Sequence, residues 1–134
     1  MRQEYLRAAA EAYANIHEIE SDCYHYIYSG FDPIIQQRIA SRYSIKWNYE
    51  DKPLKCSAAL SATALAELQY PVNEATGFAW SGNERAAFAG ISKATWSRNN
   101  YSEHIEFIIK DIRSTARRVR RQIDKQLIDE EEAY

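Results

Sequence analysis

Apolar side chains along this chain recur mostly every three or four residues, the spacing that gathers them on one side of an α-helix. Leu6, Ala10, Tyr13, Ile16, Cys23, Tyr24 and Ile27 follow this rhythm, with the polar His17 and Glu20 among them. They predict a helix over Arg2–Tyr28, which Gly30 ends. Asp32-Pro33 then sets a capping acid ahead of a proline at the first helical position. A second helix is expected over Pro33–Tyr43, with Ile34, Ile35 and Ile39 inward. Ser44–Lys52 reads as a loop, with a short strand as the alternative because Ile45, Trp47 and Tyr49 alternate. Pro53 opens an alanine-rich third helix, Pro53–Gln69, whose large apolar groups are Leu54, Leu60, Leu65 and Leu68. Tyr70-Pro71 stops it, since a residue before proline is pushed out of the helical region.

A connection, Val72–Ser81, leads to two short helices, Asn83–Ala89 and Ser92–Asn100, and a long last one, Ser102–Ile128. The last helix carries a clean stripe: Ile105, Ile108, Ile109, Ile112, Ala116, Val119, Ile123 and Leu127. Burial is worth about 1.5–3 kcal/mol per large side chain, so the stripe must be covered, by helix one or by a second copy in a homodimer. The expected fold is all-α: a single-domain helical bundle over residues 1–134. Its parts are a helical N-terminal region (1–71), a helix-turn-helix (82–100) and a long amphipathic basic helix (102–128).

The helix-turn-helix rests on GNERAAFAGISKATWSRNN, Gly82–Asn100. Two short helices that cross closely need a small residue in the first, and Ala86 is there. The turn needs a residue that accepts positive φ, and Gly90 follows four positions later. Ile91 is expected to plug the core, Ser92 to cap the second helix, and Trp96 to point inward from it. The outward face then holds Ser92, Lys93, Ala94, Thr95, Ser97, Arg98, Asn99 and Asn100. Short polar groups around an arginine suit a helix in the major groove. Arg98 matches guanine O6/N7, and Asn99 or Asn100 matches adenine. Lys93 and Ser92, at the helix start, suit phosphate oxygens.

Gly90–Arg98, GISKATWSR, resembles the turn and recognition helix of phage and bacterial helix-turn-helix regulators. The resemblance implies double-stranded DNA as partner. Two departures stand out: Arg85 occupies a usually apolar inward position, and Trp96 is bulkier than the usual valine or isoleucine. Arg85 is therefore expected to contact phosphate, with Phe88 taking the core role. A small all-α chain with this motif ahead of a basic amphipathic helix is also similar to zinc-free phage late-gene antitermination proteins of the Q type. That likeness implies RNA polymerase as a further partner, in the cytoplasm of a bacterial host. The rival readings are a small inhibitor or adaptor of a host complex and a plain helix-turn-helix repressor.

Charge sharpens the DNA reading. The formal net charge is −2, yet Lys93–Lys125 carries nine basic residues against four acids. Local excess matters more to a polyanion than the total. Arg113, Arg117 and Arg121, at four-residue spacing, are expected to reach the DNA backbone beside the recognition helix. A second basic and aromatic cluster, Arg42, Tyr43, Lys46, Trp47 and Tyr49, is a candidate binding loop. No catalytic signature is present: no phosphate loop, GxSxG or HExxH. Cys23, His25, Cys56 and His17 match no metal-ligand spacing, so no metal or other cofactor is expected. Two cysteines make no disulfide framework, and no apolar run is long enough to span a bilayer.

Overall fold

The computed structural model describes residues 18–48 and 56–132. They form an all-α fold whose helices are α1 (Glu18–Tyr28), α2 (Pro33–Asn48), α3 (Ser57–Glu67), α4 (Gly82–Ala89), α5 (Lys93–Arg98) and α6 (Tyr101–Glu132). Among the described residues there is no strand. One isolated bridge, Asn73 to Phe78, closes the loop between α3 and α4. No described helix is long and apolar enough to cross a membrane. The described residues fall into two compact units, one drawn from the chain up to Ile35 and from Ile112 onward, the other running from Gln36 to Asp111.

In the first unit α1 and the later part of α6 meet through their side chains. Arg118 pairs with Glu20 at 3.2 Å, and the Arg120 guanidinium lies 4.9 Å from the Tyr28 ring centroid. Tyr24, partly withdrawn from water between them, has its phenol raised from 10.0. Burial is the main cause, opposed by the Arg120 charge and assisted by Asp124. Cys23 and Tyr26 are buried, and Tyr26 meets Phe31 edge to face. The Asp32 carboxylate caps α2 as expected, accepting the Ile34 N–H at 2.8 Å and the Ile35 N–H at 3.3 Å.

The second unit is built on α3, which packs on α4, and α4 on α5. Leu60, Ala64, Leu65 and Leu68 are buried as their spacing requires. Tyr43 donates a hydrogen bond to Asp111 and so ties α2 to the first part of α6. The α6 stripe is inward along its whole length: Ile105, Ile108, Ile109, Ile112, Ala116, Val119, Ile123 and Leu127 are all at most 1% exposed.

Several expectations need correction. Helix α2 does not stop at Tyr43 but runs to Asn48, so the first half of the expected loop Ser44–Lys52 is helical. Nothing in Ser44–Asn48 breaks a helix, and the Ser44 hydroxyl bonds back to the Ala40 carbonyl at 3.0 Å. The strand alternative fails for the same residues. Ile34 is not inward. It is 67% exposed, because it stands five residues before the fully buried Ile39 and so about 140° around the helix from it, whereas Ile35, four residues before Ile39, is half-buried. Helix α6 continues past Ile128 to Glu132, since DEEE contains no helix breaker. The reading of Arg2–His17, and of Leu54 with the start of the third helix, lies outside the described residues.

Candidate nucleic-acid interface

The joint between α4 and α5 is built from local signals. Ser81 caps α4: its Oγ accepts the Glu84 N–H at 3.2 Å, while the Glu84 carboxylate accepts the Ser81 N–H at 3.1 Å. This reciprocal pair satisfies two backbone donors that the helix start leaves open. Gly90 ends α4 in the left-handed conformation, φ 72°. The Ile91 N–H reaches the Ala86 carbonyl at 3.0 Å and the Gly90 N–H reaches that of Ala87 at 3.3 Å. That pairing is the glycine-dependent helix stop that turns the chain sharply. Ser92 then caps α5, its Oγ accepting the Thr95 N–H at 3.2 Å.

Ala86 is buried, so α4 can approach its neighbours closely. Trp96 is buried too, and its indole packs near the glycine at the start of α4. A Cβ at Gly82 would already touch Ser102 Oγ at 3.5 Å and Trp96 Nε1 at 3.8 Å. The indole N–H donates to Ser102 Oγ at 2.9 Å, so the large side chain leaves no orphaned donor. Ile91 is only half-buried.

Arg85 is where the expectation fails. It is 3% exposed and cannot serve as a phosphate contact. Its Nε and Nη2 donate to the two oxygens of Glu67 at 2.6 and 3.0 Å, and its Nη1 donates to Glu106 at 3.1 Å. Glu67, at the end of α3, is 1% exposed. Burial by itself would lower the Arg85 pKa, but the hydrogen bonds and charge of Glu67, then of Glu106, more than reverse this, and it is raised. The guanidinium also lies 5.3 Å from the Phe78 ring centroid. Phe88, expected to take the core position, is instead 53% exposed. The two roles are exchanged because Arg85 lies with Gly82, Ala86 and Ala89 on the covered side of α4, while Phe88, one step around the helix and in line with Glu84, falls at its exposed edge.

The α5 candidates divide by environment. Ser92, Lys93, Ala94, Ser97, Arg98, Asn99 and Asn100 are exposed, and Lys93, Ala94, Ser97 and Arg98 share one side of the helix. Thr95 is half-buried. Its hydroxyl accepts from Ser92 Oγ at 2.9 Å and from Arg98 Nη2 at 3.4 Å, so it steadies the arginine rather than facing outward alone. The Asn99 amide donates to the Thr95 carbonyl at 2.8 Å, closing the end of α5. Asn100 takes the left-handed conformation, φ 52°, which lets α6 begin at Tyr101.

Arg113, half-buried, and Arg117 and Arg121, exposed, lie along α6 in the unit that contains α1, whereas α5 lies in the Gln36–Asp111 unit. In the second basic cluster Arg42 is exposed, but Tyr43 is buried against Asp111 and is no binding group. Tyr49 and the side chains of Lys46 and Trp47 lie outside the described residues. Cys23 and Cys56 form no disulfide, and the described residues contain no cluster of three or more potential ligands that could hold a metal ion. His17 lies outside the described residues.

Sequence reasoning missed two features of this region: the cluster of buried Glu67 and Arg85 with half-buried Glu106, and a ring ladder of exposed Tyr70 and Phe88 on either side of half-buried Trp80. Only the first had a usable signal, the arginine at an inward position of a helix. No protein family, curated protein or solved structure matches the chain.

Proposed function

We propose that this protein binds double-stranded DNA through α5 and acts as a transcription regulator of phage type. The observation that carries the reading is the joint of α4 and α5. A left-handed Gly90 and a buried Ala86 and Trp96 leave Lys93, Ala94, Ser97 and Arg98 together on the solvent side. Arg98 pairs with a guanine edge, Asn100 and Asn99 with adjacent bases, and Ser92 and Lys93 with phosphates. Arg113, Arg117 and Arg121 add phosphate contacts. Arg85 takes no part, being held by its carboxylates. The more specific form of the proposal is late-gene antitermination with RNA polymerase, and it rests on the resemblance of GISKATWSR and the basic helix after it.

Mobility shift on random and source-genome duplexes over a salt series tests the reading. A phosphate-dominated complex weakens steeply as salt rises. Absence of any shift at low salt removes the proposal. The second reading, an inhibitor or adaptor, is favoured by the exposed rings of Phe88 on α4 and of Tyr70 after α3. Affinity capture from host lysate separates the forms. RNA polymerase with DNA binding fits antitermination, and DNA binding without polymerase fits a plain repressor. Another host complex without DNA binding fits the adaptor.

A further inference from the structure

We propose that the aromatic face formed by Tyr70, Trp80 and Phe88 is a docking surface for a cationic, apolar segment of a partner protein, distinct from the DNA-reading face of α5. The rings form a continuous ladder. Tyr70 and Trp80 lie 5.3 Å apart at 45°, and Trp80 and Phe88 lie 5.3 Å apart at 41°. Tyr70 is 54% exposed and Phe88 53%, with Trp80 half-buried between them, and Val72, two residues after Tyr70, is 42% exposed. Single exposed apolar residues are ordinary, but a contiguous aromatic group kept in water is not, and it marks a surface that gains by being covered.

Charge selects the occupant. Between Gln69 and Ala89 the charged side chains are Glu74, Glu84 and Arg85. Arg85 is withdrawn into the core, so the charges this segment itself offers solvent are carboxylates, and Lys110 of α6, the cation that approaches it, lies over the Phe78 ring. Glu84 sits on the ladder itself. It lies one turn before Phe88 on the same side of α4, and its carboxylate accepts the N–H of Ser81, the residue after Trp80. A nucleic acid would meet like charge here, and its bases would stack beside an anion. A lysine or arginine meets both the carboxylate and the electron-rich ring faces. The fold already uses this chemistry at Phe78, whose ring has the Arg85 guanidinium at 5.3 Å and the Lys110 ammonium at 5.6 Å.

The test is a two-dimensional ¹⁵N NMR titration of the full chain with three synthetic helical peptides and a single-stranded thymidine oligomer. One peptide combines leucine with arginine, the second replaces arginine by glutamate, and the third replaces leucine by serine. The leucine–arginine peptide is expected to shift signals of Tyr70, Val72, Phe88 and the Trp80 indole, leaving Lys93–Arg98 in place. Each of the other two peptides should bind about tenfold more weakly or less. Y70A/F88A should weaken the first peptide by about tenfold, since both rings are removed without opening the core. E84Q keeps the capping hydrogen bond but removes the charge. It should lower affinity at low salt and match wild type at high salt. Equal binding of the glutamate peptide, binding unchanged in Y70A/F88A and in E84Q, or the same shifts on adding the oligomer would each overturn the proposal. So would no shift with any peptide.

Discussion

Removing the Arg85 side chain should destabilise the protein far more than a surface arginine would, and the loss should be largely recovered by also removing Glu67. In R85M the Glu67 carboxylate, 1% exposed, loses both of its guanidinium hydrogen bonds, at 2.6 and 3.0 Å. Stranding one member of a buried pair costs about 3–5 kcal/mol, against a total of about 5–15 for a domain. Replacing both members by apolar groups of similar volume is often neutral, because neither charge then needs desolvation compensation. R85M/E67M should therefore recover most of the loss. Glu106 is 35% exposed, so water screens its share, and E106Q should cost under about 1 kcal/mol. Urea unfolding followed by circular dichroism gives all four values on one slope. Because Arg85 is sealed from solvent, R85M/E67M should also keep the wild-type salt dependence of the DNA binding proposed for α5. An R85M loss below about 1 kcal/mol, or a double variant as unstable as R85M, would refute the buried-pair argument. A folded double variant with a flattened salt slope would return Arg85 to the role of phosphate contact.

G90A should cost about 1–2 kcal/mol from the backbone alone, because φ is 72° and nothing lies within 4 Å of an added Cβ, and G90N should recover part of it in thermal unfolding. R98A should cost about 1–3 kcal/mol at a cognate site and relax one base position, while R117A or R121A weakens all duplexes alike, as competition shift assays would distinguish. I34S should change stability by about 0.5 kcal/mol or less, whereas I39A costs about 2–5, a contrast that tests the observed orientation of α2. The Tyr24 phenol, raised from 10.0 chiefly by burial, keeps its proton longer when folded than unfolded. Its stabilising share is therefore whole below pH 10.0 and declines above it. Y24F should show a shallower loss of stability there in a pH series of unfolding curves.

The sequence by itself determined the elements whose signals are local. The α6 stripe was legible because one residue in every three or four is isoleucine, valine, leucine or alanine, and a helix has one way to hide them. The α4–α5 joint was legible because capping and a left-handed turn depend on the residues at those positions: Gly90 and Ser92 do in the fold what glycine and serine do in any chain. Only the tertiary structure decided what Arg85 is for. Its partners stand 18 and 21 residues away, on α3 and α6, and no local pattern brings Glu67 and Glu106 to one guanidinium. The same holds for Phe88: a hydrophobic residue is a core candidate by composition, but Arg85 with its carboxylates occupies the inward face, so the ring is left outside beside Trp80. Side-chain polarity reports a preference for burial. Which side chain is buried depends on the neighbours that long-range packing supplies, and a paired charge at the right place displaces an aromatic ring at the wrong one.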